Sequence, residues 1–409
     1  MSSETLLSIV LAIVVLDYVL DQLLDFLNYK SAKTDLPAEV AEFYDSEKYE
    51  RSIEYQKARS SFSFITSAFS FVLSVGLLYF GIFGVLDNWI SPYIQNDLVL
   101  ALVYFGALFI ASDLLNTPFQ LYSTFIIEEK FGFNKTTIKT FLVDKIKGYV
   151  LGVIIGGLLI GILLFLIIRI GSGFWIYFWV IASAFILFFN MFYTSLILPL
   201  FNKLTPLEDG SLKAAIQTYS QSVSFPLTNV FVIDGSKRSN KANAFFSGIG
   251  KKKKIVLYDT LVQNHSEEEL VAVLAHEVGH FKKKHIVQGF AISIGQIGLM
   301  LFVMSLLVFN KELSLALGAD RLAIHVNLIA FTILYSPISK LFGVIGNIIS
   351  RKNEFEADAY AAKTYTAVPL KNALKKLSVD NLSNLYPHPA YVFFNYSHPP
   401  LLKRLEAMD

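Results

Sequence analysis

Apolar runs of about 20 residues recur along the chain, separated by polar stretches. Wound as a helix rising 1.5 Å per residue, a run of about 20 residues crosses a hydrocarbon core. Seven such segments are predicted, near 5–27, 62–86, 98–118, 149–170, 174–198, 286–309 and 322–349. The first lacks a basic leader and a small-residue cleavage site, and it is too long for a signal-peptide core, so it is expected to remain in the protein. Between the fifth and sixth segments the pattern changes. Residues 229–234, 243–248 and 254–258 are short runs rich in β-branched and aromatic residues, bounded by Gly, Asn and Asp, and predict three strands with 248–253 as the turn between the last two. The period then lengthens. Leu270, Val273, Leu274 and Val278 form the apolar face of a helix whose start is marked by Ser266 and Glu269, a capping box.

Composition supports the membrane reading, with 54% hydrophobic residues, 17% charged residues and a mean hydropathy of +0.51 over 409 residues. A net charge of +2 carries no surplus for a polyanion, so no nucleic-acid partner is expected. The absence of cysteine excludes disulfides, thiol catalysis and thiolate-bound metal. Lysine and arginine alternate by connection: six in 28–61, five in 119–148 and twelve in 199–285, against none before the first segment and two between the sixth and seventh. The positive-inside bias therefore places 28–61, 119–148, 199–285 and the tail after 349 in the cytoplasm and the N-terminus outside. The Lys251 to Lys254 and Lys282 to Lys284 runs read as a solvated turn and a helix end near anionic headgroups. Trp175, Tyr177 and Trp179 open the fifth segment as an interfacial belt, and Gly152, Gly156, Gly157 and Gly161 let the fourth pack closely.

The chemistry concentrates in His276-Glu-Val-Gly-His280. Residues four apart on a helix share a face, so His276 and His280 aim two imidazoles at one point with Glu277 beside them. Two imidazoles and a carboxylate suit Zn²⁺ with one open position, and Glu277 is placed to take the proton of an attacking water. The third ligand must come from elsewhere on the same side of the membrane. Glu354 and Asp358, four apart in Arg351-Lys-Asn-Glu-Phe-Glu-Ala-Asp358, share a face and suit a ligand and its outer partner; Glu354 leads, with Asp358 and Glu356 competing and Glu356 expected to be solvated. The paired prolines at 399–400 predict a helix from about Pro400 that contains Arg404, with His398 just ahead of it. His265, His285, His325 and His388 show no ligand spacing. Within the spans, Asp17, Asp21 and Asp25 share one face, joined by Asp113, Asn116, Asn190 and Gln296; these imply either interhelical hydrogen bonds or a wet cavity. The strand ahead of the HEVGH helix could pair with an extended peptide.

Together these residues resemble the type I CAAX prenyl proteases, zinc metalloproteases that remove the tripeptide after a prenylated cysteine. The resemblance rests on HEVGH and on Ile127-Glu-Glu-Lys-Phe-Gly-Phe-Asn, Pro199-Leu-Phe-Asn-Lys-Leu-Thr-Pro-Leu, Asn243-Ala-Phe-Phe-Ser-Gly, Glu354-Phe-Glu-Ala-Asp358 and Ser397-His-Pro-Pro-Leu-Leu-Lys-Arg404. It implies one Zn²⁺ on His276, His280 and Glu354, Glu277 as general base, and Asp358 orienting the histidines. It also implies that His398 takes part in catalysis, steadying the oxyanion, and that Asn243 and Arg404 hold the substrate backbone. The implied fold is mainly α: seven transmembrane helices around a water-filled chamber, with a cytoplasmic-side gluzincin-like domain carrying a small sheet. Its parts would be 1–198 with five helices, 199–285 and 350–409 as the two pieces of the protease domain, and 286–349 with the last two helices. The partners implied are a lipidated C-terminal peptide and membrane lipid. A short loop near the seventh segment and the lack of a retention signal after Asp409 lean towards a prokaryotic plasma membrane, with the endoplasmic reticulum as the eukaryotic counterpart. A quality-control protease indifferent to prenyl groups is the alternative substrate class. An ion-coupled transporter would need no metal and leave Glu277 without use, and no inverted repeat supports it.

Overall fold

The computed structural model describes residues 1–227, 229–247 and 254–409, so the predicted turn at 248–253, with Lys251 to Lys253, lies outside the described residues. Among the described residues, six helices are long and apolar enough to cross a membrane: Ser3–Lys30, Ser46–Tyr79, Asp97–Glu128, Ile138–Phe201, His285–Leu307 and Ile324–Thr364. The count differs from seven because the fourth and fifth predicted segments share the 64-residue run Ile138–Phe201. Fully straight, that run would be about 96 Å long, three times a hydrocarbon core. It is folded instead. A 3₁₀ turn at Gly171–Gly173, with Gly171 at φ +70°, breaks it, and the legs Gly157–Ile170 and Phe174–Leu196 pack against each other.

The last long helix differs more usefully. Ile324–Thr364 runs 41 residues as one helix, with Pro337 inside it, so the seventh predicted segment and the carboxylate stretch after it are one continuous rod. Nothing in Ser350-Arg-Lys-Asn stops a helix, because glycine and proline are both absent there. Its start, at His325, is buried with Asp87, whose Oδ1 lies 2.8 Å from His325 Nε2 and 3.1 Å from Arg321. That end is closed by the short helices Ile82–Ile90 and Lys311–Ala316, which approach so closely that a Cβ on Gly84 would stand 1.8 Å from the Gly318 carbonyl carbon. At 1.5 Å per residue, the Glu354 end of the rod lies about 45 Å away.

Three of the carboxylates in the spans, Asp17, Asp21 and Asp113, have a lysine partner. Lys340 of the last rod reaches Asp17 at 3.2 Å and Asp21 at 2.9 Å, and Ser336 donates to Asp17. Asp113 is held by Lys145, Thr117 and Tyr149. Asn190 donates to the Ile186 carbonyl of its own helix. Gln296 faces the cavity described below.

Among the described residues four strands form the sheet: β1 (Leu204–Pro206), β2 (Asn229–Ile233), β3 (Ala244–Ser247) and β4 (Lys254–Tyr258), in the order β1-β2-β4-β3. β2 and β4 are parallel, and the outer pairs are antiparallel. β1 is short and ends in proline, which suits an edge and explains why periodicity does not reveal it. β3 is the other edge. The sheet is backed by the HEVGH helix, Glu267–Lys282, which opens with the expected Ser266–Glu269 capping box. Leu270, Val271, Leu274 and Val278 are almost wholly enclosed with Ile255 and Leu257 of β4, Ala361 of the rod and Leu370. Burial of each such side chain stabilises by about 1.5–3 kcal/mol, so this core fixes the helix independently of any ligand.

Candidate active site

Two helices build the centre. The HEVGH helix and the rod cross at Gly279, where an added Cβ would lie 3.0 Å from Ala357 Cα and O and 3.1 Å from Tyr360 Cβ. Only a glycine permits that approach without displacement. It brings His276, His280 and Glu354 together with one ligand atom of each within 4.8 Å of the others. The two Nε2 atoms face each other at 3.1 Å; Glu354 Oε1 is 3.3 Å from His280 Nε2, and Oε2 is 3.6 Å from His276 Nε2.

The donor set fits a metal cation. Glu354 Oε2 is buried, with His398 Nδ1 at 2.9 Å and Arg404 Nη1 at 3.3 Å. Two imidazole nitrogens 3.1 Å apart beside a buried carboxylate form a compact donor set that a cation would complete. Two nitrogens and a carboxylate match a tetrahedral site with one position open.

Each histidine is oriented from behind. Asp358 Oδ1 lies 2.8 Å from His276 Nδ1, which donates to it and leaves the Nε2 lone pair facing the cluster. Asp358 is in turn gripped by Arg404, whose Nε and Nη2 donate to its two oxygens at 2.8 and 2.6 Å. Burial alone would lower the basicity of Arg404, but its bonds to Asp358 and the charge of Glu354 raise it instead, so the pair stays ionised. His280 has a different support. Its Nδ1 is 3.0 Å from His285 Nδ1, and His285 Nε2 is 3.4 Å from Glu356 Oε2. If His285 Nε2–H donates to Glu356, its Nδ1 carries a lone pair that accepts from His280 Nδ1–H, and His280 Nε2 is again left open to the cluster.

His285 carried no ligand spacing in the sequence, and Glu356 was expected to be solvated; the structure brings both to the site. Lys284, at φ +61°, breaks the helix and turns the next one back, so His285 returns to His280 despite lying outside helical register with it. The only signal was a histidine soon after HEVGH.

Glu277 stands on the wall of a cavity of about 810 Å³ that also borders His280, His285, Glu354 and His398 and extends to Met300 and Tyr335 within the spans. Burial pushes the Glu277 carboxyl up, and the facing histidines pull it partly back. Ala244 and Phe245 of β3 border the same cavity, so this outer strand of the sheet runs beside His280 and Glu354. Asn243 stands just ahead of β3, exposed and outside that lining, its Oδ1 accepting the Ala244 N–H at 2.8 Å. His398 precedes the helix Leu401–Ala407, as expected from the prolines. The rod positions it: Asn347 and Arg351 donate to the carbonyls of Phe394 and Tyr396 at the turn just before it.

Long apolar helices surrounding a two-histidine, one-carboxylate centre with a free glutamate define a membrane-embedded metallopeptidase of the HExxH kind. The comparisons agree with that class and narrow it. Residues 25–203 match a family model described as the CAAX prenyl protease N-terminal region with five membrane helices, and residues 206–409 match peptidase family M48. The chain belongs to family M48, in its CAAX prenyl protease group. It is 37% identical to a CAAX prenyl protease 1 homolog of Oryza sativa subsp. japonica, over 98% of this chain and 97% of the relative. It is 35% identical to the Homo sapiens homolog, over 93% and 90%. The crystal structure of S. mikatae Ste24p superposes with a TM-score of 0.93 at 32% identity, covering 99% of both chains.

Proposed function

We propose that the protein is a zinc endopeptidase that removes the C-terminal tripeptide of prenylated CAAX substrates, with one Zn²⁺ on His276, His280 and Glu354. The observation that carries this reading is the convergence of His276 Nε2, His280 Nε2 and the Glu354 carboxylate, with Asp358 behind His276 and His285 behind His280. Zinc, when bound, supplies Lewis acidity towards the scissile carbonyl and the attacking water. The chain does the rest. Glu277 takes the water's proton and returns it to the leaving amine. His398 donates to the carbonyl oxygen as charge gathers on it. The outer edge of β3 pairs with the substrate backbone, Asn243 lying where that strand begins, and Arg404 acts through Asp358 and Glu354. His285 and Glu356 position His280 as Asp358 positions His276.

The prenyl preference is supported by the cavity beyond Glu277, a mainly apolar volume among the membrane spans whose far wall carries Ile292, Ile297, Met300 and Phe342 beside Ser293, Gln296 and Ser339. Seven crossings follow if both legs of Ile138–Phe201 span, in keeping with the five membrane helices of the matching N-terminal family and two after it. The site then lies at the cytoplasmic end, with 199–285 and 350–409 as one split catalytic domain. The named relatives are eukaryotic, so they lend nothing to a prokaryotic plasma membrane over the endoplasmic reticulum.

The test is cleavage of a farnesylated CAAX peptide by purified protein, against the same peptide without lipid and against Glu277→Gln. Glu277 supplies general-base catalysis, so Glu277→Gln is expected to lose about 10²–10⁴-fold in kcat with its metal content unchanged. Equal cleavage of both peptides would replace the prenyl reading with a broader quality-control protease. Activity surviving in Glu277→Gln would remove the mechanism.

A further inference from the structure

Two cavities meet at His398. The first is the mainly apolar volume just described. The second, of about 500 Å³, lies between the early turns of the helix Ser46–Tyr79 and the C-terminal helices, and its wall sets Gln56, Arg59, Asn381 and Asn384 beside Leu374, Leu377 and Leu401. It borders His398 and Arg404, and so reaches the catalytic centre.

Its two arginines differ. Arg404 is buried and occupied by Asp358. Arg59 is exposed to the cavity, makes no ion pair among the described residues, and rests with its guanidinium 5.5 Å from the centre of the Tyr55 ring. Tyr55 is a neutral phenol and leaves that charge unbalanced; its hydroxyl donates to Glu128 at 2.6 Å. A guanidinium braced on an aromatic face is a planar fork suited to a carboxylate.

We propose that Arg59 binds the free α-carboxylate of the substrate's last residue, and that this second cavity holds the residues beyond the scissile bond. The inference rests on the tripeptide-releasing activity proposed above. Three residues in extended form reach about 10 Å, and a substrate cut three residues from its end must carry one anion at that reach. The two cavities then divide the substrate: lipid towards the apolar residues of the spans and charged terminus towards Arg59. Anchoring the terminus at a set distance from His398 fixes how many residues are removed.

Two measurements on the full-length protein test this. In the first, a farnesylated CAAX peptide is compared with its C-terminal amide in wild type, Arg59→Lys and Arg59→Gln, with thermal unfolding and metal content as folding controls. Amidation is expected to raise KM about tenfold in wild type, to matter less in Arg59→Lys, and to have no effect in Arg59→Gln, where both peptides behave as the amide does in wild type. The second is calorimetric binding of the product tripeptide, as acid and as amide, to Glu277→Gln and to Glu277→Gln with Arg59→Gln, which needs no turnover. Acid-selective binding lost with Arg59 supports the site even if the prenyl reading fails. Wild-type indifference to amidation, or acid selectivity that survives in Arg59→Gln, overturns it while leaving Glu277-dependent cleavage intact.

Discussion

Each metal-facing imidazole depends on one atom behind it, and the two supports are unequal. Asp358 is nearly inaccessible and bonds both His276 and Arg404, so Asp358→Asn breaks a buried charged network and leaves Arg404 half-paired. Losing one partner of a buried pair costs about 3 kcal/mol or more, and losing the group behind a metal ligand lowers metal affinity about 10–100-fold. Asp358→Asn is therefore expected to lower both the unfolding temperature and zinc affinity. His285→Ala removes a neutral relay and leaves the Arg404 network whole, so zinc affinity should fall in the same range with little change in unfolding temperature. Chelator competition together with thermal unfolding separates the two; equal affinity in His285→Ala and wild type would deny His285 its positioning part.

At the scale of elements, the site is a crossing of two helices, and its tolerance is set by Gly279. An alanine there must push against backbone atoms of Ala357, which cannot move aside as a flexible side chain would. Overpacking of this kind costs about 1–3 kcal/mol. Because His280 stands on one helix and Glu354 on the other, separating them also opens the ligand set. Gly279→Ala is thus expected to lose stability and zinc affinity together. The comparison is Gly289→Ala, where nothing lies within 4 Å of the added carbon. If the two variants bind zinc alike, the crossing does not set the ligand geometry.

Over the whole molecule, the rod Ile324–Thr364 connects the metal site to the closed far end, and Lys340 ties its middle to the first helix through Asp17 and Asp21. Lys340→Met would leave two carboxylates one turn apart in the spans without their cation, a costly arrangement at that depth. The expected outcome is a lower unfolding temperature with metal stoichiometry unchanged, since the catalytic helices are held by their own apolar core. A drop in metal content in that variant would mean that span packing and site geometry are coupled along the rod.

Much was legible before any coordinates. Hydropathy marked the membrane class, helical spacing placed His276, Glu277 and His280 on one face, and the capping box located the start of their helix, because each is a local property of consecutive residues. Glu354, Asp358 and Arg404 were reachable by face-sharing and resemblance. Other features were not. The sequence could not bring His285 back to His280, since that return depends on the left-handed turn at Lys284; nor show that Glu356 supports His285, or that the last predicted span continues unbroken into the carboxylate helix. It could not place Arg59, distant in sequence from HEVGH, on a cavity shared with His398. Local pattern determined which chemistry this chain carries and that it lives in a membrane. Tertiary structure alone decided which groups stand behind the ligands and where the two ends of a substrate can lie, because those depend on helices meeting across hundreds of residues.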